Sequence, residues 1–97
     1  MSHYKDIVIE TYEGPRESST GAPPARPLPG QGLDISLKVE CSGKMRKDFP
    51  IGTKFIVTAK ITDREGTPFV YTHYKWSWKI VTSAEALKHI NSNKLAN

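Results

Sequence analysis

A chain of 97 residues is long enough for one compact domain and too short for two. A hydrophobic fraction of 37% beside 25% charged residues excludes a disordered polyelectrolyte, and one cysteine, Cys41, excludes an internal disulfide or a multi-thiolate zinc site. The net charge of +4 is uneven: residues 1–32 carry three basic against four acidic side chains, but residues 33–81 carry nine against five, which favours an anionic partner.

Tyr4 to Tyr12 reads as a first strand, with Ile7 and Ile9 on one parity, Val8 and Tyr12 on the other, and Gly14-Pro15 as its end. Residues 14–32 hold five of the seven prolines and four of the seven glycines. That composition predicts a long extended or irregular loop, dispensable for the sheet. Within it, Pro24-Ala25-Arg26-Pro27-Leu28-Pro29 offers a weak PxxP-type docking segment. From Leu33 to Cys41, Leu33, Ile35, Leu37, Val39 and Cys41 alternate with polar residues, a pattern that predicts a half-buried strand. Ser42-Gly43-Lys44 turns the chain into a basic loop of Lys44, Arg46 and Lys47, an auxiliary phosphate contact at most. Phe49-Pro50-Ile51-Gly52 predicts a kink in which Gly52 takes unusual backbone angles.

Lys54–Thr62 and Phe69–Val81 read as a hairpin around Asp63-Arg64-Glu65-Gly66. A four-residue loop pairs Phe55 with Tyr74, Val57 with Thr72 and Ala59 with Val70. These residues share a face with Ile61, Trp76, Trp78 and Ile80, so both tryptophans are expected in the core. A short helix at 83–91 follows. Thr82 and Glu85 form its capping box, Leu87 and Ile90 its apolar edge, and Asn91-Ser92-Asn93 its stop.

The other hairpin face carries the most chemistry. Lys54, Ile56, Lys60, Phe69, Tyr71, His73, Lys75 and Lys79 interleave cations with aromatic and apolar groups. Such a face serves either as an association surface or as a platform that stacks bases and neutralises phosphates. His3, His73 and His89 lack metal-ligand spacing, and Cys41 lies on the apolar parity as an inert thiol. No phosphate loop, nucleophile elbow or paired carboxylates in a dry cleft are present, so no cofactor, metal or catalytic residue is expected. No stretch is apolar enough for a signal peptide or a membrane span, and the expected location is cytoplasmic, without a membrane partner.

No motif identifies a family, although Phe49 to Ile80 resembles small SH3-like or OB-like barrels in architecture, a likeness that carries no function. The expected fold is one mainly β domain, residues 1–97, with its β core at 33–81. It is a twisted antiparallel sheet or open small barrel of roughly four to five strands with a C-terminal helix. The expected function is a non-catalytic binding or interaction module that forms a homodimer. The alternative is a small nucleic-acid-binding protein.

Overall fold

The computed structural model describes residues 4–62, 66–72 and 78–95. Its first strand, β1 (Lys5–Thr11), contains Ile7-Val8-Ile9, and all three side chains are buried. Successive strand residues point to opposite faces, so β1 is covered on both sides. β4 (Lys54–Thr62) pairs antiparallel with it, setting Ile7 opposite Val57 and Ile9 opposite Phe55. On that side these four join Ala59, Val39, Met45 and Val70 in the main core. On the other side lies α2 (Ser83–Leu95), where Ala86 and Ile90 pack with Val8, Val81 and Ile56.

The sheet path runs from β2 (Ala25–Pro27) through β1 and β4 to β5 (Phe69–Tyr71) and β3 (Lys38–Glu40). β6 (Trp78–Val81) pairs with the first half of β4. Among the described residues, only the β3–β5 pairing is parallel. β2 and β3, the two ends of the path, come side by side and share the main core through Ala25 and Val39. The result is six strands in a nearly closed barrel-shaped sheet with a C-terminal helix outside it, the mainly β small barrel expected.

Several local expectations change. The proline-rich stretch contains an edge strand, with Tyr12 N donating to Pro24 O at 3.0 Å and Leu28 N to Val8 O at 3.1 Å. An edge tolerates proline because its outer side needs no donor. Beyond it, the Gln31 side chain continues the ladder: Oε1 accepts from Val8 N at 2.7 Å, and Nε2 donates to Val8 O at 2.8 Å and Leu28 O at 2.9 Å.

The predicted strand at 33–41 shrinks to β3. Asp34 Oδ1 accepts from Ser36 N at 2.9 Å and Ser36 Oγ at 2.7 Å, while Leu37 N donates to Asp34 O at 3.1 Å. These local bonds turn the backbone and compete with a ladder. Ile35 is left half-exposed, whereas Leu33, Leu37 and Cys41 still pack on the core. The basic loop is a single helical turn, α1 (Gly43–Lys47), capped by Ser42 Oγ accepting from Met45 N at 3.3 Å. Gly52 does take a left-handed φ of +95° and donates to Thr11 O at 3.0 Å.

The hairpin register is displaced by two residues: Thr62 faces Phe69, Ile61 faces Val70 and Lys60 faces Tyr71. Phe55 then faces Ile80 and Val57 faces Trp78. From Val57 to Lys60 β4 advances three residues, but its partner advances seven from Tyr71 to Trp78. A continuous ladder requires equal advance, so the single long strand expected at 69–81 is two. Tyr74 and Trp76 lie outside the described residues.

Helix α2 starts on the expected capping box. Thr82 N donates to Glu85 Oε1 at 2.9 Å, and Glu85 N to Thr82 Oγ1 at 3.1 Å. It continues to Leu95 because no glycine or proline interrupts it. Its buried edge is Ala86 and Ile90, four apart, while Leu87 is exposed. Among the described residues, no helix is long and apolar enough to cross a membrane.

Candidate functional site

Of the eight residues expected on one outer face, His73 and Lys75 lie outside the described residues. The other six do not make one surface. Ile56 is half-buried under α2, and Phe69 is buried at 4% exposure. α2 also ties to β1 through His89, whose Nε2 lies 2.9 Å from Asp6 O and so must donate. Lys54 Nζ is 3.4 Å from Glu10 Oε2, and Lys60 Nζ lies 5.5 Å from the Tyr4 ring centroid. Tyr71 is half-buried beside Lys60. Lys79 remains exposed on a cleft of about 140 Å³ with Asp6, Ile56, Thr58 and Trp78. The helix covers what period-two alternation alone leaves open, and that is why the face is divided.

Trp78 also departs from its expected place. Its ring packs edge-on against Phe55 at 5.7 Å and Phe49 at 6.2 Å, as its core parity requires. Yet 42% of the residue is exposed, because β6 pairs on one side only among the described strands. Ile80, on the same parity, is 45% exposed, and Ile51, two residues after Phe49, is also exposed. Trp78 and Ile80 form an apolar strip on the parity assigned to the core, opposite to the face expected to associate.

A groove of about 870 Å³ runs over the seam where β2 and β3 meet. Ala25, Leu37 and Val39 line it, with Arg16, Arg26 and Lys38 among its charged residues. Arg46, expected as a solvated loop cation, is 3% exposed in the groove wall. Its guanidinium donates to Pro23 O at 2.9 Å, Cys41 O at 3.2 Å and the Glu17 carboxylate. Its Nε is buried with no acceptor. Lys44 pairs with Asp48 at 3.8 Å in the open, and Lys47 is exposed. The three basic residues of this stretch therefore do not act as one patch.

Electrostatics follow from that arrangement. The hydrogen bond from Arg46, and then that from Thr20, holds the Glu17 carboxyl below its ordinary range. Burial pushes the Cys41 thiol up to about 11, despite the nearby Arg46, so it is protonated at neutral pH and a poor nucleophile. The PxxP segment is built into the barrel: Ala25 and Pro27 are buried, and Arg26 binds Glu10 at 3.3 Å and lies over the Tyr12 ring at 4.7 Å. No three His, Cys, Asp or Glu side chains gather as a metal-binding group among the described residues.

Gln31 and the Glu17–Arg46 pair had no sequence signal, because their partners lie 23 and 29 residues away. Nor did the groove, which depends on a register and a turn that alternation misassigns. No protein family, curated protein or solved structure matches the chain.

Proposed function

We propose that this protein is a non-catalytic interaction module that self-associates through β6. The observation that carries this reading is the half-exposed pair Trp78 and Ile80 on a strand whose second edge meets no described strand. An unpaired edge is a template for another chain, and a two-fold pairing of β6 with its copy satisfies both edges at once. The tryptophan is already oriented by Phe49 and Phe55, so little side-chain entropy is lost when a partner covers it.

Sedimentation over a range of concentrations tests this. The wild type is expected as a dimer and Ile80→Lys as a folded monomer. A wild type that stays monomeric at the highest concentration reached removes the proposal. Nucleic-acid binding is the second reading, supported by exposed Lys79 beside the open part of Trp78. Its signature is a binding constant that falls steeply with salt and a slope that drops by about one unit in Lys79→Ala.

A further inference from the structure

The seam groove is a second surface, separate from β6. β2 and β3 lie side by side without a shared ladder, and each has backbone groups directed to the gap. Thr72 N donates to Glu40 O at 3.0 Å, so the backbone of Glu40 faces β5 and that of Val39 faces away from it. On the other side, Tyr12 N takes Pro24 O and Leu28 N reaches Val8 O, so Ala25 turns its N–H and C=O away from β1. Cα atoms of β2 and β3 come within 8 Å. Inserting a strand between them needs about 9.6 Å, twice the interstrand spacing, so a ligand must lie over the seam.

The lining sets the ligand's chemistry. Half-buried Leu37 and exposed Ile35 offer apolar contact, over a floor of Ala25 and Val39 that are each only 4% exposed. The charges are unbalanced toward positive. Glu17 is neutralised by Arg46, leaving Glu40 against Arg16, Arg26 and Lys38. Arg26 shares its charge with Glu10, Arg16 donates to Gly21 O at 3.1 Å and lies 3.9 Å from Glu13, and Lys38 has no ion pair among the described residues. Arg46, its charge already balanced by Glu17, keeps a buried Nε–H without an acceptor. The lining follows two chain segments, Pro24 to Arg26 and Ile35 to Cys41, and such a trough suits an extended chain better than a small molecule, which needs most of its surface enclosed. We infer that the groove binds an acidic peptide in extended form, its apolar side chains on Ile35 and Leu37 and its carboxylates against Lys38 and Arg16.

The test is selection from a displayed library of random peptides of about twelve residues, which at roughly 3.3 Å per residue span the 39 Å long axis of the molecule. Recovered sequences are then titrated into the full ¹⁵N-labelled chain. Expected are sequences with Asp or Glu between apolar residues, and shift changes around Arg16, Ala25, Lys38 and Val39. Lys38→Glu and Arg16→Glu should each weaken binding about five- to tenfold at unchanged melting temperature, while Ile80→Lys leaves it intact. A library that yields no acidic binders, or binders indifferent to both charge reversals, overturns the inference. So does an oligothymidylate of the same length that displaces the peptide at equal concentration, which would make the groove a nucleic-acid site.

Discussion

Arg46 is a full positive charge enclosed by protein, and its bonds show why it is tolerated. Two carbonyls and a carboxylate replace the water it gave up. In Arg46→Ala the carbonyls of Pro23 and Cys41 lose their donor, so a loss of about 2–4 kcal/mol is expected by urea denaturation. Glu17→Gln should cost less, about 1 kcal/mol at most, because Glu17 is 42% exposed and solvent screens its share of the pair. Acid separates the wild type from Glu17→Gln. The folded carboxyl of Glu17 titrates below its ordinary 4.5, so its contribution is complete above that value and is lost as pH falls through the lowered one. Wild-type stability should be insensitive to this group at neutral pH and decline below about 4.5, with a shallower decline in Glu17→Gln. Cys41 was legible from parity alone, since an apolar position implies an inert thiol. Arg46 was not: a cation between Met45 and Lys47 looks solvated until the turn of α1 carries it inward.

At the scale of elements, what could be read was local. The Thr82–Glu85 box depends on residues three apart, and it formed as spaced. Thr82→Ala should cost about 1 kcal/mol in a thermal melt, and Thr82→Ser a few tenths. Parity within β4 was also legible, because Phe55, Val57 and Ala59 need only neighbours two residues away to share a face. Register was not, since it rested on one assumed loop length and could not anticipate the interruption between β5 and β6. The proline-rich segment was misjudged in the same way: proline excluded a central strand but said nothing of an edge. Ala25 and Pro27 are buried and Gln31 closes the backbone of Val8, so deleting Ser18–Pro29 should abolish cooperative unfolding, read by circular dichroism. Gln31→Ala alone should cost about 1–3 kcal/mol by leaving a buried N–H unpaired.

Across the whole molecule, the two candidate surfaces differ in kind. The β6 strip is apolar, and under the proposed self-association it lies at the centre of an interface, so its effect on stability should be concentration-dependent. Raising the protein concentration should raise the wild-type melting temperature and leave that of Ile80→Lys unchanged. The seam groove is mixed and cationic, and a charged partner there should associate faster at low salt. Both are consequences of a barrel held together by distant pairings. Lys5 meets Ala59 and Ile9 meets Phe55, so β1 has no β4 to pair with until these distant residues have been made. On a ribosome the N-terminal strand therefore leaves the exit tunnel with Ile7, Val8 and Ile9 bare, and a chaperone has a binding segment ready before any barrel does. Refolding should be correspondingly slow for so small a chain, on the order of milliseconds to seconds in stopped-flow fluorescence, with the parallel β3–β5 contact among the last to lock.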